Sequence, residues 1–524
     1  MDSLDSRRVV GEVVLRVVER REQDPRTIER ALFDTIYEER RRVDGIRDKE
    51  SRRRQGAYWD RVHADATRSD VDGQRALLLE VVRHFTDEVA GHFDPRWYAV
   101  ATTVLTPSLD VLLNALSPLR LIRSLPGGGG HLDDQVVIEG ETQSLVRLAR
   151  RGTTIIVPTH LSNLDSILMG YAIQRLGLPP YVYGAGLNLF ANPLIGMFMA
   201  HLGAYRVDRL KKAEIYKDVL KTYAGCTMEA GYHNLFFPGG TRSRSGGVER
   251  HLKLGLLGMG LDAYIHNLGA RKRDPDIFVV PCTINYELVL EAETLIDDHL
   301  KEVGRSRYII EDDEFSRPRQ VLQFVQRLFS LESRVNVRFC RPLDVFGNPV
   351  DDEGRSLDSR GRFIDRSLYV DKGNGPGADP QRDEEYTREL ARAITDSYRR
   401  DTVLKATHVV SRAVFDLLRD RNPAMDLYRL LRTGGEEPSI PLPEVYERLD
   451  RVLGAVRRAA AEGRVRLDGA AAGGDAVAVS SEAQAHLSSY HRRPALERHG
   501  DRLVAADRNL LLYYGNRVDG EVLR

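Results

Sequence analysis

Between residues 136 and 345 the chain alternates short β-branched or aromatic runs with longer stretches of helical character. Such runs occur at 153–157, 235–237 and 277–280, and a further strand at 335–339 precedes Pro342. This alternation favours a parallel sheet, because each crossover helix returns the chain to begin a neighbouring strand in the same direction. We therefore predict an α/β fold with a central, mostly parallel sheet and flanking helices.

Helical regions are predicted on both sides of this α/β unit. Apolar residues recur every four positions at Ile28, Leu32 and Ile36, and a four-glycine run at 127–130 suggests a flexible boundary. The predicted regions are a helical N-terminal region (1–130), the α/β domain (136–345), a loop-rich excursion (346–383) and a helical C-terminal region (384–524).

Charge and cysteine content exclude several classes of protein. Lys+Arg and Asp+Glu number 77 each, so the formal net charge is zero, which argues against a whole-chain nucleic-acid binder. Cys226, Cys282 and Cys340 lie far apart without a CxxC pair. We therefore expect no disulfide scaffold and no metal site of the usual zinc type, and the usage fits a reducing compartment.

The sequence predicts membrane association that is peripheral or shallow. The first residues are acidic and lack the basic and apolar regions of a signal peptide. No stretch of roughly 20 residues is free of polar breaks, which a spanning helix requires. The best candidate, residues 98–122, is interrupted by prolines and charged side chains.

A histidine and an aspartate follow the first buried run. His160 comes two residues after Pro158, and Asp165 lies five residues further on. If a helix begins just after His160, the Asp165 carboxylate can reach back to one imidazole nitrogen and leave the other free to accept a proton. No GxSxG elbow is present. The proton would then come from a substrate hydroxyl, although His160 in the core and Asp165 as a helix cap is an open alternative.

A glycine pair and two arginines follow the second run, in residues 236–246. Glycines allow backbone N–H groups to approach an anion, and the guanidinium groups of Arg242 and Arg244 supply forked donors suited to phosphate. The spacing is not that of a Walker A loop. The stretch therefore indicates a phosphate-binding loop, with a basic surface turn as the alternative.

Two further segments carry weaker signals. Residues 186–209 are strongly apolar and end near Arg206 and Arg209, which fits protein core, an acyl-chain groove or a segment that dips into the bilayer interface. Residues 279–287 look like a strand that ends beside the site, with plain sheet core as the alternative.

In this order, the four segments resemble the conserved blocks of the glycerolipid acyltransferase family, in particular its long glycerol-3-phosphate/dihydroxyacetone-phosphate acyltransferase branch. His160 and Asp165 match the HxxxxD block, residues 187–209 resemble the second block, residues 240–244 match the end of the third, and Val280, Pro281 and Ile284 are similar to the fourth. The resemblance covers roughly residues 136–345.

Two positions depart from the family pattern. Gly239 stands where the third block usually carries a glutamate, and Asp208 precedes Arg209 where paired arginines are usual. Glu229 and Glu249 are candidates to supply the missing carboxylate.

The resemblance implies a glycerol-3-phosphate O-acyltransferase of phospholipid biosynthesis. It implies acyl-CoA or acyl carrier protein as co-substrate with no other cofactor, no nucleic-acid partner, and action at the cytoplasmic face of the cell membrane. His160 would act as general base and Asp165 would orient it. The substrate phosphate would be bound at Arg209, Gly240, Thr241, Arg242, Ser243 and Arg244.

Two alternatives to this function remain. The first is a lysophosphatidic acid acyltransferase, which uses the same chemistry on a different acceptor. The second is a non-catalytic lipid-binding relative of the same fold, which Gly239 keeps open.

Overall fold

A computed structural model provides the structure of the chain. It describes residues 3–22, 25–91, 135–186, 203–303, 334–433, 438–488, 491 and 493–523. The glycine run at 127–130, the apolar candidate at 98–122 and residues 187–202 of the second block lie outside the described residues.

A seven-stranded sheet forms the centre of the protein, in the order β1-β7-β6-β2-β5-β3-β4. Neighbouring strands are parallel except β6 and β7, which are antiparallel. This arrangement confirms the predicted mostly parallel α/β sheet. The strands are β1 (Val136–Gly140), β2 (Thr153–Pro158), β3 (Val182–Gly186), β4 (Ala204–Val207), β5 (Asn234–Leu235), β6 (Ile277–Asn285) and β7 (Val335–Phe339).

Helices cover both faces of this sheet, which is why its inner strands are continuous apolar runs. All residues of β2 and β6 are buried. Ile156 packs into a cluster on one face, while Ile155 and Val157 pack into a cluster on the other. The helices in the described part of this domain are α5 (Thr142–Leu148), α6 (Asp165–Arg175), α7 (Glu214–Glu229), α8 (Leu254–Gly269) and α9 (Ala292–Val303).

Among the residues described before the sheet, 3–22 and 25–91, there are four helices: α1 (Ser3–Glu22), α2 (Pro25–Asp44), α3 (Lys49–Arg68) and α4 (Val71–Val89). The predicted apolar stripe of α2 is buried, with Ile28, Leu32 and Ile36 at most 2% exposed. These helices share one apolar cluster with α7, and an ion pair of 2.7 Å joins Arg16 to Glu229. The N-terminal region is therefore packed directly on the α/β domain.

The C-terminal region contains helices and short strands. Its central helix, α11, buries Val410, Val414 and Leu417. The helices are α10 (Pro380–Asp401), α11 (Ala406–Arg421), α12 (Leu427–Thr433), α13 (Leu442–Ala461), α14 (Ala470–Gly473), α15 (Ala476–Leu487) and α16 (Arg508–Gly515). The strands from the excursion onward are β8 (Ser356–Leu357), β9 (Phe363–Ile364), β10 (Val403–Leu404), β11 (Ser439–Pro441), β12 (Arg466–Leu467), β13 (Leu496–His499) and β14 (Arg502–Ala505).

Membrane-spanning and metal-binding features were sought in the described part of the chain. None of the helices there combines the length and the apolar character needed to cross a bilayer. Nor does any group of three or more His, Cys, Asp or Glu side chains in those ranges have the arrangement of a metal site. Cys226, Cys282 and Cys340 are buried free thiols.

Truncation of Leu32 should destabilise the N-terminal helices. The side chain is fully buried between helices, so Leu32→Ala should lower the free energy of unfolding by about 2–5 kcal/mol. Leu79 is 46% exposed, so Leu79→Ala is the matched control and should change it by about 0.5 kcal/mol or less. Denaturant melts of the three proteins measure both values, and equal losses would contradict the described packing.

Candidate active site

His160 lies just beyond the carboxyl end of β2, where open α/β sheets commonly place a site. Its side chain is nearly buried, at 7% exposure, and Nδ1 lies 2.8 Å from Oδ2 of the fully buried Asp165. Asp165 therefore fixes the ring and leaves Nε2 as the nitrogen that can accept a proton.

The route by which Asp165 reaches His160 differs from the sequence expectation. A helix was expected to begin just after His160, but α6 begins at Asp165, and residues 161–164 form a turn. The expectation was wrong: the N–H groups of residues 161–163 donate to carboxyl oxygens, and helical structure starts only at Asp165.

Carboxyl groups from three separate parts of the chain accept the backbone N–H groups of residues 160–163. A glutamate from the segment before α8, the aspartate itself and a glutamate before α9 together bind four consecutive backbone donors. The bonds are His160 N–H to Glu249 Oε1 (2.8 Å), Leu161 N–H and Ser162 N–H to Asp165 Oδ2 (2.7 and 2.9 Å), and Asn163 N–H to Glu291 Oε1 (3.0 Å). The loop that carries His160 is thus held at every residue.

The fourth segment of the sequence analysis meets the site through Tyr286. This residue follows the end of β6, is 1% exposed, and donates its hydroxyl proton to Asp165 Oδ1. Asp165 therefore has both oxygens occupied, which restricts its carboxylate to one orientation.

Opposing effects set the charge state of His160. Burial lowers the pKa of its imidazole, the hydrogen bond and charge of Asp165 raise it, and the positive charges of Arg242 and Arg209 lower it again. Together these effects place the pKa of His160 below its ordinary value. The Phe237 ring stacks on the imidazole at 4.2 Å between centroids. The ring is therefore held neutral at neutral pH, as a proton acceptor must be.

The glycine-arginine loop lies directly against His160. The Ser243 N–H donates to the His160 carbonyl oxygen at 2.7 Å. Gly240 has φ of +75°, and a Cβ there would lie 2.6 Å from the Lys253 side chain, so this turn needs glycine. Thr241, Arg242, Ser243 and Arg244 line an open cavity of about 670 Å³.

Of the predicted arginines, Arg209 and Arg242 act on His160, whereas Arg244 turns outward. Arg242 donates to Glu291 at 3.1 Å, and its charge and that of Arg209 act on His160. Burial lowers the pKa of Arg209, and the positive charges of Arg242 and Arg244 lower it further. Arg244 turns outward and pairs with Glu302 at 2.7 Å. The structure thus brings the proposed base and the proposed anion-binding residues together.

Of the two candidates for the missing carboxylate, Glu249 lies at this site and Glu229 does not. Glu229 lies at the end of α7 and pairs with Arg16 of α1, away from this site. Glu249 binds the His160 N–H and lines the same cavity as Arg242.

Two further residues of the site, Glu291 and Arg517, carried no signal of their own in the sequence analysis. They reach the site only through long-range packing, with Arg517 at 3% exposure on the turn after α16. Their electrostatic influence was not visible in any motif.

A comparison with protein families matches residues 139–285 to the family described as Acyltransferase. The match begins in β1 and ends with β6, and it includes His160, Asp165 and the glycine-arginine loop.

Curated relatives include several proteins named glycerol-3-phosphate acyltransferase. That of Pseudomonas aeruginosa (strain LESB58) is 28% identical over 307 residues, which are 57% of this chain and 33% of the relative. That of Aeromonas hydrophila is 35% identical over 150 residues, 28% of this chain and 18% of the relative. That of Pseudoalteromonas translucida is 34% identical over 165 residues, 31% of this chain and 19% of the relative. The chain thus spans about a third or less of the length of these relatives.

Neutralising Arg209 should raise the pKa of His160. A nearby positive charge disfavours a second one, so its removal in Arg209→Gln stabilises the imidazolium and moves the titration midpoint to higher pH. Arg244→Gln is the control, because the Arg244 guanidinium turns outward and is paired with Glu302 at 2.7 Å. NMR titration of the histidine ring signals, with His160 identified by its loss in His160→Ala, measures the shift. An unchanged or lowered midpoint in Arg209→Gln would contradict this account.

Proposed function

We propose that this chain, which matches the Acyltransferase family over residues 139–285 and is similar to proteins named glycerol-3-phosphate acyltransferase, transfers a fatty acyl group to a hydroxyl of glycerol 3-phosphate. The observation that carries the proposal is the buried pair of His160 and Asp165, with guanidinium groups close to the imidazole. A neutral base next to fixed positive charge suits an alcohol that carries a phosphate.

Proton removal is the first step. Nδ1 of His160 is occupied by Asp165, so Nε2 takes the proton from the acceptor hydroxyl as its oxygen attacks. The imidazolium that forms is stabilised by the Asp165 carboxylate, whose position is fixed by Tyr286 and by the N–H groups of the loop.

Acyl transfer then proceeds without a covalent enzyme intermediate. The hydroxyl oxygen forms a bond to the thioester carbonyl carbon, and the carbon–sulfur bond breaks as the tetrahedral intermediate collapses. The leaving thiolate takes the proton from His160, which restores the neutral base. The buried thiols Cys226, Cys282 and Cys340 have no place in this scheme.

Phosphate binding is assigned to Arg209, Arg242 and Arg244: Arg242 and Arg244 line the cavity, and the charges of Arg242 and Arg209 act on His160. The hydroxyl groups of Thr241 and Ser243 line that cavity as well, and Gly240 provides the turn that directs the loop. Forked, charge-assisted donors of this kind are suited to phosphate oxygens.

The co-substrate and the cellular setting belong to the same proposal. We assign acyl-CoA or acyl carrier protein as donor, with no further cofactor, because a thioester supplies the activated acyl group. The enzyme would act at the cytoplasmic face of the cell membrane as a peripheral protein. Leu210, which is 62% exposed beside Arg209, supports contact with an apolar surface next to the phosphate site.

Replacement of the base should abolish acyl transfer. His160→Ala should lower the rate by about 10²–10⁴-fold, the usual contribution of a general base, with little change in thermal stability. Asp165→Asn keeps the side-chain shape but removes the charge that stabilises the imidazolium, so it should lower kcat in the same direction. Thiol release from acyl-CoA in the presence of glycerol 3-phosphate measures both. Wild-type rates in the two folded variants would refute the mechanism.

Arg242→Ala should weaken phosphate binding selectively. Loss of a charge-assisted hydrogen bond should raise KM for glycerol 3-phosphate by about 10-fold or more and leave KM for the acyl donor nearly unchanged. Arg451, an exposed residue of α13, provides the control substitution Arg451→Ala. The same assay, with lysophosphatidic acid in competition, identifies the preferred acceptor. Equal changes in both KM values would oppose the phosphate assignment.

A further inference from the structure

Glu249 is one of the acids that bind the His160 loop, and the mechanism above gives it no role. It lies ten positions after Gly239, on the segment between the glycine-arginine loop and α8. Its Oε1 accepts the His160 N–H at 2.8 Å, whereas its Oε2 is enclosed and has no hydrogen-bond partner among the described residues.

The space that Glu249 occupies exists because residue 239 is glycine. A Cβ on Gly239 would lie 2.5 Å from Glu249 Oε2 and 2.8 Å from its carboxyl carbon. A Cβ essentially never makes contacts this short, so a side chain at 239 would displace the carboxyl group of Glu249 from its observed position. Glycine at 239 and glutamate at 249 are therefore a matched pair.

The surroundings of Glu249 favour a neutral carboxyl group, which still accepts a hydrogen bond, over a charged carboxylate. Burial raises the pKa of Glu249 to about 8, and the charge of Asp165 adds to the rise, while the His160 N–H and the buried Arg517 act in the other direction. At neutral pH the carboxyl group is therefore mostly protonated. An oxygen that accepts the His160 N–H needs no negative charge.

We propose that Glu249 is a positioning residue for His160: by holding the His160 N–H from the space left open at Gly239, it fixes the main chain from which the imidazole projects. This inference rests on the proposed function for its kinetic consequence. Glu249 accepts the N–H of His160 itself. Asp165 binds Nδ1 of the imidazole and accepts the N–H groups of the next two residues, Leu161 and Ser162. Backbone and ring are thus oriented by separate carboxyl groups.

Substitutions at 249 separate hydrogen-bond acceptance from charge and from packing. Glu249→Gln keeps an acceptor oxygen of the same shape, so kcat should stay within about twofold of wild type. Glu249→Leu keeps most of the volume but accepts no bond, so kcat should fall by about 10–100-fold, as expected for a misplaced base, with both KM values little changed. A wild-type kcat in Glu249→Leu, or an equal loss in Glu249→Gln, would overturn the proposal.

A substitution at 239 tests the matched pair independently. Gly239→Ala should displace the Glu249 carboxyl group and lower kcat as Glu249→Leu does. In a Glu249→Ala background the same substitution should cause no further loss, because the clashing group is gone. Gly170→Ala, at a helix position with no atom within 4 Å of the added Cβ, is the control and should leave kcat unchanged. If the losses in kcat from Gly239→Ala and Glu249→Ala added up in the double variant, the proposed pairing would be overturned.

Amide hydrogen exchange at His160 provides a readout that needs no turnover. The His160 N–H should be protected in wild type and in Glu249→Gln, and should exchange faster in Glu249→Leu and Gly239→Ala. If the wild-type protein transfers no acyl group but this pattern holds, the proposed function fails and the positioning role stands. If exchange at His160 is the same in all four proteins, the positioning role fails whatever the activity.

Discussion

The site depends on hydrogen bonds between carboxyl groups and the backbone N–H groups of one loop. Four consecutive donors after β2, residues 160–163, are accepted by Glu249, Asp165 and Glu291. Buried N–H groups must be paired, and carboxyl oxygens pair them without the geometry of a helix. The loop can therefore hold His160 between a strand and a helix start, at the carboxyl end of the central strand β2, rather than inside a regular element.

The site is assembled from distant parts of the chain. Asn516, on the turn after α16, donates to the Ser245 carbonyl oxygen at 2.9 Å. Gly246 has φ of +77°, and a Cβ there would meet the Tyr513 carbonyl oxygen at 2.1 Å, so only glycine permits this contact. Arg517, on the same turn, brings a buried positive charge that acts on Glu249 and Asp165. The C-terminal region thus supports the loop that follows β5.

Opposite charges are balanced around the imidazole. Arg209 and Arg242 lower the pKa of His160, as burial does, and Asp165 works against them. A site with only the carboxylates would favour the imidazolium, and a site with only the arginines would leave the ring without orientation. Placing Arg242 against Glu291 fixes a guanidinium group close to the base without adding an unpaired buried charge.

The sequence by itself determined the parallel sheet, through the alternation of apolar runs with helical stretches, and the pairing of His160 with Asp165, through their spacing. These features are local, so periodicity and short motifs record them. Only the tertiary structure decided where α6 begins, which acid stands beside Gly239, and that Tyr286 holds Asp165. Each of these depends on contacts between residues far apart in the chain, and no local pattern specifies which side chains folding will bring together.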